Sequence, residues 1–491
     1  MANSDRAERG HHSSQKPHAI FIAYPLQGHV IPSVHLAIKL ASLGFTITFI
    51  NTDSIHYQTL KAHGKDATSE DIFTSARNSG LDIRYMTVSD GLPVEFDRSL
   101  NHDQFMLSLL HVFSAHVEQV VGKIVKQSNE TVTCLIADTF FVWPSKIAKK
   151  FGLFHVSFWT EPALIFTLYF HMDLLRKNGH FDCNNVRDDP IDYIPGVHQI
   201  HPKDVMSYLQ DADTSTVVHQ IIFNAFQDVR AADFVLCNTL QDLEPDTIAA
   251  LRAHLPFYAV GPLFPAGFTK SSVATSLWSE SDCTHWLSTK PKSSVLYVSF
   301  GSYAHVSKKD LIEIANGLLL SNVNFIWVLR PDIVSSDNVD PLPVGFREAV
   351  RECGMIIPWC CQIEVLSDPA VGGFLSHCGW NSILESLWCE VPLLCFPLLT
   401  DQFTNRKLVV DDWKVGINLS DHKNITKDDV SRNVNRLMGR KSCLKFVNAI
   451  AEVKKLMGGA WTTDGLSQRN MDSFIEGLEH KSRQVKGRIT Q

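Results

Sequence analysis

Short apolar, β-branched runs alternate with helix-period stretches along this chain, and the alternation runs through twice. Strands without polar alternation are buried on both faces, and the intervening helices cover those faces. The pattern therefore specifies an α/β fold of doubly wound parallel sheets. In the first half the strand candidates are residues 18–24, 45–52, 82–88, 133–139, 155–160 and 233–238, with a short last one at 258–261. Helical periods fall between them at 32–43 and 102–127. A second series starts at 294–300 and continues through 324–329, 354–359, 372–376 and 393–397. Between the series, GPLFPAGFTKSSVATSLWSESD mixes proline and serine without a period, which reads as an interdomain linker. The expected organisation is a disordered tail at 1–17, a first domain at 18–261, a linker at 262–282, a second domain at 283–464 and a terminal segment at 465–491.

Bulk properties narrow the function classes. A chain of 491 residues exceeds one comfortable core, in keeping with two domains. A net charge of −7 gives no electrostatic basis for binding nucleic acid or an anionic membrane. No apolar run reaches bilayer-spanning length, and the N-terminus lacks the apolar centre of a signal peptide. The 11 cysteines contain no CxxC pair, which fits free thiols in a reducing compartment. A cytoplasmic location and a monomer are expected, with the glycosylation-like triplets at Asn129, Asn418 and Asn424 unused.

Ligands of doubly wound domains gather beyond the carboxyl ends of the strands. There, after 372–376, the chain reads His377-Cys378-Gly379-Trp380-Asn381-Ser382 and then a helix pattern at 383–389. A helix N-terminus with free N–H groups suits a phosphate. His377, Asn381 and Ser382 add polar side chains to that place, and Glu385 lies one turn beyond Asn381 on the same face. A carboxylate there suits the two hydroxyls of a ribose. A capped helix around a buried tryptophan is the plainer reading for any one of these residues alone.

Together they belong to a longer string. Residues 359–402 read WCCQIEVLSDPAVGGFLSHCGWNSILESLWCEVPLLCFPLLTDQ. This resembles, without a gap, the signature box of plant secondary-product (family 1) UDP-glycosyltransferases. The resemblance implies the two-Rossmann GT-B fold, with a last helix within 465–479 returning to the first domain. It implies that Trp359 stacks on uracil, that Cys360 offers backbone contacts to its edge, and that Gln362 and Glu385 hold the ribose. His377, Asn381 and Ser382 would bind the diphosphate, and Trp380, Asp401 and Gln402 the sugar. The turn Phe300-Gly301-Ser302 resembles the family's phosphate-contacting turn and adds Ser302; read alone, it is a strand-to-helix turn.

In the first half, residues 25–32 read PLQGHVIP, which resembles the same family's PxxGHxxP motif. His29 sits where strand turns to helix and would be the general base. Asp138 ends an apolar strand and would orient it, because a buried carboxylate needs a partner; a helix cap is the alternative. Thr160 resembles the threonine that touches the transferred sugar. Leu26, Phe140, Phe141, Glu161 and Leu398 flank these positions and are candidates for acceptor contact.

The implied reaction is inverting transfer of glucose from UDP-glucose to a hydroxyl of a small, largely apolar plant metabolite, such as a flavonoid, terpenoid, lignan or phenolic. No metal or other cofactor is implied. Asp211-Ala212-Asp213 looks like the metal-binding DxD of other glycosyltransferases, yet its place before a helical stretch reads as a cap. The chain departs from the family pattern at Glu390, where glycine is usual, at Asp368, where histidine is common, and at Leu399-Thr400. A sugar-nucleotide epimerase and a silent donor-binding protein are the rival readings.

Overall fold

The computed structural model describes residues 16–64, 71–127, 131–183, 186–265, 267–269, 275–334, 340–422 and 424–489. Residues 1–15 of the expected tail, Asn129, and positions 266 and 270–274 of the expected linker lie outside the described residues.

Two parallel sheets form the frame. The first holds β1 (His18–Ile22), β2 (Thr46–Thr52), β3 (Ile83–Val88), β4 (Val132–Asp138), β5 (Phe154–Trp159), β6 (Phe234–Cys237) and β7 (Phe257–Ala259). Its order is β3-β2-β1-β4-β5-β6-β7. The second holds β8 (Val295–Ser299), β9 (Asn324–Val328), β10 (Gly354–Ile357), β11 (Val371–Ser376), β12 (Leu393–Cys395) and β13 (Gly416–Asn418). Its order is β10-β9-β8-β11-β12-β13. Strand order reverses once in each sheet, between β1 and β4 and between β8 and β11, and a crevice opens at such a point.

The apolar runs explain the layering. Every residue of β1 is buried, so both faces need a cover. Ala19 and Phe21 point to one side, against Leu36 and Leu40 of the helix Gln27–Ser42 and Phe474 of the last helix. Ile20 and Ile22 point to the other, against Phe113 and Val117. Alternation along the strand thus assigns each side chain to a layer.

Three elements differ from the sequence expectation. The stretch 102–127 is two helices, His102–His111 and Phe113–Gln127, bent by 43°. The break lies where Gly91 crosses: a Cβ there would come within 2.7 Å of Val112. Strand β13 reads Gly416-Ile417-Asn418, with a glycine and an asparagine around its one apolar residue, so no apolar run marks it. The last helix, expected within 465–479, runs on from Leu466 to Ile489, and Lys481 pairs with Asp233 at 2.7 Å. No single helix among the described residues is long and apolar enough to cross a membrane.

The last helix returns to the first sheet. Phe474 meets Phe234 of β6 edge-on at 5.3 Å, and Asn470 donates to the Ala259 carbonyl of β7 at 2.8 Å. Phe474 is fully buried, so Phe474→Ala leaves a cavity and should lower stability by about 3 kcal/mol in urea unfolding. An unchanged midpoint would show that this packing contributes nothing.

Candidate active site

Both switch points face one cleft between the halves, a cavity of about 340 Å³. The helix Gln27–Ser42 starts five residues earlier than its apolar period, which places His29 in its first turn. Pro32 lies inside that helix and has no N–H to return to the carbonyl of Gly28, four residues back. That freed carbonyl accepts instead from Asn381 Nδ2 of the second half, at 2.8 Å.

His29 Nδ1 lies 2.8 Å from Asp138 Oδ2 at the end of β4. The carboxylate is 1% exposed and the imidazole 14%. The other carboxylate oxygen accepts from the Phe140 N–H at 2.9 Å, so Asp138 orients the imidazole and fixes the turn after β4 together. The helix that follows is capped at Trp143, not by Asp138. Thr160 Oγ1 sits 3.0 Å from the same Nδ1. With Nδ1 engaged twice, Nε2 is left as the free base position of the ring. Tyr24 and Phe140 wall the imidazole, at ring separations of 5.3 and 5.7 Å.

Across the cleft, Gly301 (φ 74°) and Gly379 hold the His377 ring between them. A Cβ at either would lie 2.4 or 2.5 Å from His377 Nε2, so both positions require glycine. Burial, then the Arg330 charge, lowers the His377 pKa to about 4, which keeps the imidazole neutral. Arg330 is itself buried and donates to the carbonyls of Gly301 and Ala304, fixing the loop that carries Ser302. The helix Trp380–Trp388 begins after Gly379 with no side-chain cap, leaving its first N–H groups open to the cleft.

Deeper in the second half, Gln362 Nε2 donates to Ser382 Oγ at 3.0 Å and to Glu385 Oε2 at 2.8 Å. Ser382 is therefore grouped with Gln362 and Glu385, not with His377. Burial raises Glu385 to about 7, opposed by the Gln362 hydrogen bond. Trp359 and Cys360 line the same end, and the Trp359 carbonyl accepts from the Ser281 N–H at 2.9 Å.

Some expected contacts are already engaged within the protein. The Trp380 indole N–H donates to the Asn238 carbonyl at 2.8 Å, and Asn381 Nδ2 is held by Gly28. Asp401 accepts from Thr400 Oγ1 and Asn405 Nδ2, both at 2.6 Å, and burial raises its pKa. Gln402 Oε1 accepts the N–H groups of Leu398 and Leu399, at 2.9 and 3.1 Å, so only its amide N–H groups remain to donate. The family departures have a backbone meaning: Glu390 and Thr400 hold φ of 59° and 54°, the left-handed region where glycine is easiest.

Of the five acceptor candidates, Leu26, Phe140 and Glu161 line the cleft. Phe141 and Leu398 do not. Phe141 is packed among Phe113 and Trp143, and Leu398 faces the core of the second half. Unforeseen lining comes from Met106, Tyr169, Tyr208, Ile221 and Ile222. Met106, Tyr169, Ile221 and Ile222 lie on helices that are otherwise largely packed in the core, and Tyr208 lies in the short turn Ser207–Leu209. Asp211 and Asp213 are exposed and outside it. Asp213 accepts from the Ser215 N–H at 2.9 Å, and Thr216 caps the helix Val217–Asp228 in its place. Among the described residues, no cluster of three or more His, Cys, Asp or Glu is placed to hold a metal ion.

The neutral ring, open helix end and Gly301 turn make an anion cradle beside a nucleoside-sized slot. Gly301→Ala should therefore lower UDP affinity at least about tenfold in calorimetric titration with the circular dichroism unchanged. Undiminished binding would remove the turn from the cradle.

The comparisons agree with this geometry. A family model described as UDP-glucoronosyl and UDP-glucosyl transferase matches residues 241–455. The chain is 60% identical to UDP-glycosyltransferase 86A1 of Arabidopsis thaliana over 473 residues, covering 95% of this chain and 96% of the relative. It is 61% identical to UDP-glycosyltransferase 86A2 of the same plant over 484 residues, covering 98% of each. Among solved structures it resembles Phytolacca americana UGT2 complexed with UDP-2fluoro-glucose and pterostilbene, with a TM-score of 0.77, 26% identity, and coverage of 94% of this chain and 100% of that one. With two switch-point crevices facing one cleft and relatives of such identity along nearly its whole length, the chain belongs to the plant UDP-glycosyltransferases, GT-B enzymes that use UDP-sugar donors.

Proposed function

We propose that this protein transfers glucose from UDP-glucose to a hydroxyl of a small, largely apolar plant metabolite with inversion at the anomeric carbon. The observation that carries the reading is the buried His29–Asp138 pair, at 2.8 Å, facing the anion cradle across the cleft. The relative solved with UDP-2fluoro-glucose and pterostilbene supports both halves of the assignment, a glucose-type donor and an apolar phenolic acceptor.

In this mechanism His29 Nε2 removes the acceptor hydroxyl proton as its oxygen bonds to the anomeric carbon. The bond from that carbon to the diphosphate oxygen breaks at the same time. Asp138 accepts the Nδ1–H and stabilises the imidazolium that forms. Ser302, neutral His377 and the helix N–H groups at Trp380 and Asn381 stabilise the departing UDP, a role a metal ion plays elsewhere. Thr160 acts through His29 Nδ1, and the Gln402 amide donates to the sugar. Trp359 and Cys360 take the uracil, and Gln362, Ser382 and Glu385 take the ribose.

His29→Ala should leave UDP-glucose binding nearly intact and lower turnover of an alkyl alcohol by about a thousandfold, as loss of a general base implies. An acidic phenol, partly ionised already, should lose far less. Equal small losses on both acceptors would remove His29 from the chemistry.

Glu385 adds a pH dependence. Its pKa is raised from 4.5 to about 7, so the carboxylate that accepts both ribose hydroxyls is lost as pH falls through 7. KM for UDP-glucose should rise about tenfold between roughly pH 8 and 6. Glu385→Gln should flatten that profile, and a wild-type KM independent of pH would contradict the assignment. The linkage to stability has the opposite sign. In the ligand-free protein this group's contribution is present below 4.5 and is lost as pH rises through about 7.

A further inference from the structure

We propose that Glu161 and the tyrosines around it recognise an uncharged acceptor carrying a second oxygen function (carbonyl, ether or hydroxyl) remote from the attacking hydroxyl, and that this wall excludes carboxylate-bearing acceptors. The inference rests on the transferase reading above and specifies the chemistry of its acceptor.

Glu161 directly follows Thr160 where β5 leaves the sheet, and it lines the cleft on the first-half side. Its Oε2 is buried and has no hydrogen-bond partner among the described residues. Nearly all buried polar atoms in folded proteins are paired, so an orphan on a cavity wall points to a ligand atom. Tyr24, Tyr169, Tyr208 and Tyr303 line the same cavity, with Phe140 and Ile222 supplying apolar surface.

Charge decides which ligand fits. Among the described residues no lysine or arginine lines the cavity, whereas Glu161, Glu280, Glu385 and Asp401 do. Burial, then the negative fields of Asp401 and Asp138, pushes Glu161 well above the usual carboxyl range. Burial likewise raises Tyr208 to about 12. The shift favours the protonated form of Glu161, which donates as well as accepts and stands among tyrosine O–H groups. A ligand carboxylate placed there would be stripped of water beside carboxyl groups, with no lysine or arginine among the described lining residues to balance it. A carbonyl, ether or hydroxyl oxygen meets donors instead.

The test uses the full chain, UDP-glucose and three phenols of similar length: methyl 4-hydroxycinnamate, its free acid, and 4-propylphenol. The ester should exceed the acid in kcat/KM by about a hundredfold, and the ester's KM should lie about tenfold below that of propylphenol. Glu161→Leu should bring the ester's KM up to that of propylphenol with UDP affinity unchanged, which also shows that the variant folds. Glu161→Gln, which keeps a donor and an acceptor, should stay within about threefold of wild type. Equal use of the acid, a glucose ester as product, or equal effects of Glu161→Leu on both neutral phenols would overturn the proposal while leaving glucosyl transfer standing. Transfer to none of the phenols would overturn both readings.

Discussion

A carboxylate 1% exposed at the end of a central strand persists only beside a partner, and Asp138 has one in His29. The rest of the site follows from that constraint. Strands β1 and β4 are parallel neighbours in register, Ile22 beside Ala137, so their carboxyl ends lie level. The reversal of strand order between them opens the crevice, and the two groups meet across it. The second sheet repeats the device with other residues. Ser299 pairs with Ser376 at the level ends of β8 and β11, and the next residues bring Gly301 against His377. In the proposed mechanism one switch point supplies a base with its orienting carboxylate, and the other supplies an anion cradle.

The two halves are joined by the same residues that build the cradle. Pro32 leaves the Gly28 carbonyl without its helical donor, and Asn381 donates to it from the helix whose first turn lines the cleft. The Trp380 indole reaches Asn238, the Ser207 hydroxyl accepts from the Thr400 N–H, and Arg406 pairs with Asp204. The Trp380 and Asn381 bonds come from the first turn of the helix that lines the cleft.

Much of this was legible in the sequence. Strand apolarity is a local property, so both sheets and twelve of the strands could be read from runs of residues. The pairing of His29 with Asp138 was legible for a related reason, since Asp138 ends a buried strand, a buried charge requires a partner, and His29 sits where the neighbouring strand turns to helix. Long-range packing was less so. Phe141 and Phe140 are adjacent, yet only Phe140 turns to the cleft, and nothing local decides which. Met106 and Tyr169 lie on apolar stretches where nothing local separates cleft lining from core. Hydrogen bonds made across the chain were also out of reach. The motif pointed to Gln402 as a sugar contact, but its carbonyl oxygen is held by the Leu398–Leu399 backbone.

The central claim is that a base on one switch point and a diphosphate cradle on the other act on one anomeric carbon from opposite sides. The most direct measurement is the proton NMR spectrum of the product, with free UDP counted in the same tube. The reaction would hold equal UDP-glucose and UDP-galactose, a neutral phenol and a chelator. The account predicts a β-glucoside as the main product, one UDP released per glycoside, and no loss of rate from the chelator. An α-linked product, a strict metal requirement, or interconversion of the two donors without transfer to the phenol would contradict it.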